Sequence, residues 1–227
     1  MHRRLHPGWK RVDSQLTEIA KTGVPFSDVW KFDGEHNRLK GMECEFHDAN
    51  LQSPLDVVRE KIGRDECRLM VLGTGEGNDI IWFRDELKKT HSQQAVDERL
   101  ILHTFNLTKI TNPELTPIVV DHSRPSGFVT PFEVWQAPEL IGRFDVVISQ
   151  RGIAWHTESP TAAVIKASTL LDKDGIMFLE TKTPELKWEA LHKADRFWRL
   201  NMSGQKFEAV NTDNKKTENW IVVKRTE

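Results

Sequence analysis

The sequence predicts an α/β protein with a mostly parallel sheet, and three observations carry this prediction. Short apolar runs alternate with stretches in which apolar residues recur every three or four positions, as in strands alternating with amphipathic helices. One run, Leu69–Leu72, passes directly into a glycine-rich turn at 73–77, and an amphipathic helix follows over 78–89. Near the C-terminus, apolar runs at 206–211 and 220–224 flank a polar turn, which predicts a β-hairpin.

Length and composition favour one domain, or one domain with an extension. The chain has 227 residues and a formal net charge of −2, so charge gives no strong signal for nucleic-acid binding or for a membrane surface. Cys44 and Cys67 lack the spacing of metal ligands, and no metal site is expected. No apolar stretch reaches the length of a membrane span and no secretory signal is visible, so a cytoplasmic protein is the expectation.

We expect residues 1–66 to form a helical or irregular N-terminal extension and residues 67–227 to form the main domain. A helix is predicted over 13–22, and a second begins at Ser53, which caps it together with Asp56. The extension is either a cap that helps to form a substrate pocket or a segment that only packs against the domain.

The glycine-rich turn is the first candidate for a binding site. It comprises Gly73, Thr74, Gly75, Glu76 and Gly77, between a buried strand and a helix N-terminus. Glycine lets the backbone turn tightly and approach a ligand, and the first helical N–H groups are free to bind it. The alternative is a purely structural turn in some other α/β protein.

The spacing G-x-G-x-G and the order of the later features resemble the class I S-adenosylmethionine-dependent methyltransferases. Those later features are a second strand at 100–106, a strand beginning Phe144-Asp145, an Asp174-Gly175 turn and the terminal hairpin. The resemblance implies a Rossmann-like, seven-stranded, mostly parallel sheet with a C-terminal antiparallel hairpin and helices on both faces. It also implies S-adenosylmethionine as the cofactor.

The parallel strands are expected near 67–73, 100–106, 128–135, 144–149 and 176–181. The third strand matches least well, because four proline and glycine residues between 108 and 127 exclude a long helix before it. We favour 128–135 for this strand; the alternative is a short strand from Pro117 that ends at Asp121.

The resemblance also implies roles for residues at the strand ends. Asn106 follows the second strand, where the family usually places an acid that binds the ribose. Gln136 and Ala137 follow the predicted third strand, where the family contacts adenine. Ser149 and Gln150 follow the Phe-Asp strand, beside the reacting methyl group.

His156 lies in the loop that follows Gln150. It is a candidate general base, because histidine titrates near neutrality. The alternative is a loop histidine that caps or packs locally.

Three positions that are usually acidic in the family carry other residues here, namely Val71, Asn106 and Gln136. The leading hypothesis is methyl transfer from S-adenosylmethionine to an N, O or C nucleophile of an unidentified small molecule, protein or RNA. The alternative is an inactive methyltransferase-like module that acts through a partner. A nicotinamide-dependent oxidoreductase is disfavoured by the glycine spacing and the terminal hairpin.

Overall fold

The computed structural model describes residues 38–74, 77–106, 110, 112–122, 137–150, 159–202, 204–210 and 212–227. In chain order these residues form α1 (Arg38–Asp48), α2 (Pro54–Ile62), β1 (Cys67–Leu72), α3 (Asn78–Lys88), α4 (Gln93–Arg99), β2 (Leu100–Phe105), β3 (Val119–Asp121), β4 (Phe144–Ser149), α5 (Pro160–Leu170), β5 (Leu171–Glu180), α6 (Pro184–Asn201), β6 (Phe207–Ala209) and β7 (Trp220–Arg225). A 3₁₀ turn over Pro138–Leu140 precedes β4. The helix predicted over 13–22 lies outside the described residues.

The strands form one seven-stranded sheet in the order β3-β2-β1-β4-β5-β7-β6. Strands β1 to β5 pair in parallel, whereas β7 is antiparallel to both β5 and β6. The predicted mixed sheet and terminal hairpin are therefore confirmed. The chain builds β2 and β3 on one side of β1 and then returns to place β4 and β5 on the other side. In open α/β sheets, this switch in strand order is where ligands bind.

The strand that pairs with β2 is the short alternative that ends at Asp121, not the one we favoured. Val119 to Asp121 pairs with β2 in the position that we assigned to residues 128–135, and those residues lie outside the described part of the chain. Leu115, fully buried, anchors the turn that leads into this strand. The strand is at the sheet edge and Val120 is 48% exposed, so its apolar signal in the sequence is weak.

Strand β5 begins at Leu171, ahead of the predicted Asp174-Gly175 turn. Leu171 pairs with Phe144 and Ile176 pairs with Val146, so the turn is a bulge within the strand. A Cβ at Gly175 would lie 2.7 Å from the carbonyl oxygen of Phe144, which explains the need for glycine there.

Helices cover both faces of the sheet, as the resemblance implied. One apolar cluster joins Met70 and Leu72 of β1 to helices α5 and α6. The other joins Leu69 and Val71 to α1, α2, α3 and α4. Helices α1 and α2, which lie within the predicted extension 1–66, thus contribute to the core beneath β1.

The predicted start of α2 is confirmed. The Ser53 hydroxyl accepts a hydrogen bond from the backbone N–H of Asp56, and the Asp56 carboxylate accepts one from the N–H of Ser53. This capping box satisfies two backbone donors at the start of the helix.

Candidate active site

The carboxyl ends of β1, β2 and β4 lie side by side and bring several predicted site residues to one edge of the sheet. Leu72 ends β1 opposite Phe105, so the glycine turn and Asn106 are neighbours. Ser149 ends β4, and its hydroxyl donates a hydrogen bond to the Leu72 carbonyl oxygen at 3.1 Å. In open α/β sheets, ligands bind at this edge.

Asn106 is tied to the glycine turn. Its Oδ1 accepts hydrogen bonds from the Thr74 backbone N–H at 2.6 Å and from the Thr74 hydroxyl at 3.0 Å. The N–H of Gly73 donates to the Phe105 carbonyl oxygen at 2.9 Å, so the start of the turn is held to β2. The resemblance implied that Asn106 faces a ribose, but its side-chain oxygen already accepts hydrogen bonds from Thr74.

The third glycine of the turn has a structural explanation. Gly77 has φ +88° and caps the N-terminus of α3, and a Cβ added to it would lie 2.1 Å from Cδ1 of Leu115. Gly73 also has positive φ, at +82°. Gly75 lies outside the described residues. The lack of a side chain at Gly77 therefore makes room for Leu115 of the same chain.

Gln150 carries a buried polar atom that the described residues leave unsatisfied. Its Oε1 is inaccessible to solvent and has no hydrogen-bond partner among them. Buried polar atoms are nearly always hydrogen-bonded, and exceptions call for an explanation. A ligand that donates a hydrogen bond at this edge would satisfy the atom, so the residues present fit a bound molecule.

Of the remaining predicted residues, Ala137 is buried in the core and the others are not described. Ala137 is 3% exposed and belongs to the core cluster on the α5–α6 side of the sheet. Gln136 and His156 lie outside the described residues, so their roles stay predictions. Val71 is buried in the opposite cluster, at a position where the family usually has an acid.

Sequence reasoning assigned no role to two acidic residues at strand ends. Asp121 ends β3, where its carboxylate accepts hydrogen bonds from the N–H of Ile110 at 3.0 Å and from the Thr104 hydroxyl at 3.4 Å. Asp121 therefore ends the strand that pairs with β2, as the alternative predicted. Glu180 ends β5 and is 8% exposed. The only signal for either was its place after an apolar run.

Two histidines stack on the sheet beside β3. Nδ1 of His103 lies 2.8 Å from Nε2 of His122, and the rings are nearly parallel. Burial, with a contribution from the neighbouring His122, lowers the pKa of His103 to about 4. Burial also lowers the pKa of His122, against the opposing effect of nearby carboxylates. At pH 7 the pair is neutral, and one ring donates its N–H to the other.

Within the described ranges, no group of three or more histidine, cysteine or acidic side chains is placed to hold a metal ion. Over the same ranges, no helix combines the length and apolar character that crossing a bilayer requires.

No protein-family model matches the chain, and comparison with curated proteins gives no match. Solved structures do match. The chain is 15% identical to the 1,6-didemethyltoxoflavin-N1-methyltransferase of Burkholderia thailandensis, solved with 1,6-didemethyltoxoflavin and S-adenosylhomocysteine; the match covers 100% of this chain and 94% of that one, with a TM-score of 0.52.

A second match is the plantazolicin methyltransferase BpumL, solved with a monoazolic desmethylPZN analog and S-adenosylhomocysteine. The identity is 7%, the coverage is 97% of this chain and 93% of that one, and the TM-score is 0.53. At such identities the likeness concerns the fold. The chain has the fold of the class I S-adenosylmethionine-dependent methyltransferases.

Proposed function

We propose that this protein binds S-adenosylmethionine and transfers its methyl group to a nucleophilic N, O or C atom. The observation that carries the proposal is the convergence of Thr74, Asn106, Ser149 and Gln150 at one edge of the sheet. This edge lies at the switch in strand order, where ligands bind in open α/β folds. Two methyltransferases of the same fold hold S-adenosylhomocysteine in their solved structures, which supports the choice of cofactor.

When bound, S-adenosylmethionine supplies a methyl group on a positively charged sulfur, so catalysis requires positioning more than activation. The backbone of the turn 73–77 and the first N–H groups of α3 would bind the polar groups of the cofactor. Thr74 and Asn106 would hold that turn in place. Gln150, beyond β4, would accept a hydrogen bond from the ligand.

The methyl acceptor would approach from the loop that follows β4. Where the acceptor must lose a proton before it attacks, His156 is the proposed base. The substrate is a small molecule, a protein or an RNA. The two methyltransferases named above are solved with 1,6-didemethyltoxoflavin and with a monoazolic desmethylPZN analog, and this favours a small molecule.

A catalytically inactive binding module is the second candidate. Two observations favour it. Val71 is buried in the core, and the side-chain oxygen of Asn106 accepts a hydrogen bond from the Thr74 N–H. Such a module would fold identically and either bind no cofactor or bind it without turnover.

Replacement of Asn106 tests the cofactor site. Asn106→Asp keeps an acceptor for Thr74 and adds a charged acceptor at the position where the family binds the ribose. We expect the affinity for S-adenosylhomocysteine to rise by about tenfold, because hydrogen bonds to a charged acceptor are roughly twice as strong. Asn106→Leu should lower it by at least about tenfold. Isothermal titration calorimetry measures both.

The control is Asn201→Asp, which adds the same charge at the end of α6 that lies away from this edge. It should leave the affinity unchanged. If Asn106→Asp and Asn201→Asp bind the ligand as wild type does, Asn106 does not face the ribose.

A further inference from the structure

We propose that strand β6 is the contact surface for a second copy of this chain, which pairs with it in antiparallel fashion about a twofold axis at Phe207. The two seven-stranded sheets would then continue into each other. Strand β6 lies at the far end of the sheet from the cofactor edge at β1 and β4, so the contact does not depend on the proposed function.

The outer side of β6 carries backbone groups that do not bond to the sheet. Among the described residues, β6 pairs with β7 alone. The Val210 N–H donates to the Val222 carbonyl oxygen of β7 at 2.9 Å. Because the direction of the N–H and C=O groups alternates along an antiparallel strand, those of Phe207 and Ala209 point away from β7. Such an edge is a template for pairing with another chain.

Charge singles out one register for this contact. Antiparallel pairing centred on Phe207 places Lys206 opposite Glu208 of the second copy, and this happens twice about the axis. Moving the axis by one residue would place Lys206 opposite Lys206, or Glu208 opposite Glu208, and moving it to Ala209 would pair neither charge. Opposite charges directly across two strands stabilise the pair, whereas like charges destabilise it. The axis at Phe207 is thus the arrangement that these two side chains favour.

The apolar face of the strand fits the same register. The Phe207 ring stacks on that of Trp198 in α6, with centroids 4.9 Å apart, and Phe207 remains partly exposed. At the axis Phe207 lies opposite its own copy, and the two residues exchange their backbone hydrogen bonds. The contact would therefore bury apolar surface that α6 leaves uncovered.

The charged side chains are available for the contact. Glu208 is exposed and has no ion-pair partner among the described residues. Lys206 forms an ion pair with Glu227, and both side chains are exposed. Exposed ion pairs contribute little to stability, so Lys206 can exchange Glu227 for Glu208 of the second copy at small cost.

Sedimentation equilibrium of the wild-type protein over a concentration series gives the first test. We expect a reversible dimer with a dissociation constant between about 1 and 100 μM, because an interface built on one short strand is small.

Reversal of the two charges tests the register. Lys206→Glu and Glu208→Lys each replace both attractive pairs by repulsive ones, and each should weaken the dimer by about tenfold or more. A mixture of the two variants should form a mixed dimer about as tight as that of wild type, because every acidic residue then lies opposite a lysine. Glu114→Lys is the control, since it reverses an exposed acid in the turn before β3, at the other edge of the sheet. It should leave the dimer unchanged.

Replacement of Ala209 tests the backbone contact. Ala209→Pro removes an N–H that points away from β7, a position where an edge strand tolerates proline. The variant should keep the circular dichroism spectrum of wild type and lose the dimer.

Three results would overturn the proposal. The first is a wild-type protein that stays monomeric over the concentration series, in which case Lys206 and Glu208 serve only to keep the edge unpaired. The second is a dimer that withstands both charge reversals and Ala209→Pro. The third is a mixture of folded Lys206→Glu and Glu208→Lys variants that stays monomeric.

Discussion

Gly77→Ala should lower the free energy of unfolding by about 3 kcal/mol or more. The φ of +88° is strained for alanine, which costs of order 1–3 kcal/mol. The new Cβ would also lie 2.1 Å from Cδ1 of the fully buried Leu115, and overpacking adds about 1–3 kcal/mol. Urea unfolding measures the loss.

Substitution of Leu115 separates the effect of steric overlap from the effect of backbone strain. Leu115→Ala alone should cost about 2–5 kcal/mol, because it leaves a cavity. The double variant should cost less than the sum of the single variants, since the shortened side chain makes room for the new Cβ. Gly204→Ala is the control, because Gly204 has φ +84° with no atom within 4 Å of the added Cβ. Gly204→Ala should lower the free energy of unfolding by the cost of backbone strain alone. Additive losses in the double variant would mean that Leu115 does not crowd Gly77.

Glu43→Gln should make the protein more stable than wild type above pH 7 and remove part of its pH dependence. Glu43 is 5% exposed, and burial raises its pKa to about 7 from an ordinary 4.5, despite hydrogen bonds from Ser53 and from the Leu55 N–H. Because the folded state holds the proton more tightly than the unfolded state, stability falls as the pH rises from 4.5 to 7 and then levels off. The shift corresponds to about 3 kcal/mol.

The difference in unfolding free energy between Glu43→Gln and wild type should therefore grow between pH 5 and pH 8. Two ionisable neighbours act on the same carboxyl: Asp56 raises its pKa and His47 lowers it. Glu60→Gln serves as the control, because it removes an exposed carboxylate from the adjacent helix α2. A flat difference for Glu43→Gln across this range would show that the Glu43 carboxyl is not held protonated by the fold.

Much of the architecture can be predicted because its signals are local. The run Leu69–Leu72 is apolar on both faces, as a central parallel strand requires, and glycines follow it at once. Ser53 and Asp56 specify the start of α2 through side chains three residues apart. The hairpin is indicated by two apolar runs and one polar turn.

The third strand was predicted only as the alternative to 128–135, because its stabilisation is not local. It has three residues, lies at the edge of the sheet and depends on pairing with β2 and on the burial of Leu115. The longer apolar stretch at 128–135 gives a stronger signal in the sequence. The same leucine also explains Gly77, and nothing in the local pattern of the turn reveals a contact so far along the chain.

The sequence predicts which types of residue lie at the site, but it does not predict which groups their side chains contact. The sequence indicates that Asn106 follows the second strand, but only the structure shows its carbonyl oxygen on Thr74. In the sequence, Glu180 is indistinguishable from an ordinary polar residue at a strand end. Its proximity to Gln150 depends on the register of β4 against β5, which a bulge within β5 shifts.

Titration of the wild-type protein with S-adenosylhomocysteine tests the central claim most directly. A methyltransferase site predicts one bound ligand per chain with a dissociation constant between about 1 μM and 1 mM, together with a higher unfolding temperature in its presence. If the folded protein gives no heat of binding and no rise in unfolding temperature with millimolar ligand, the fold does not serve as a cofactor-dependent methyltransferase.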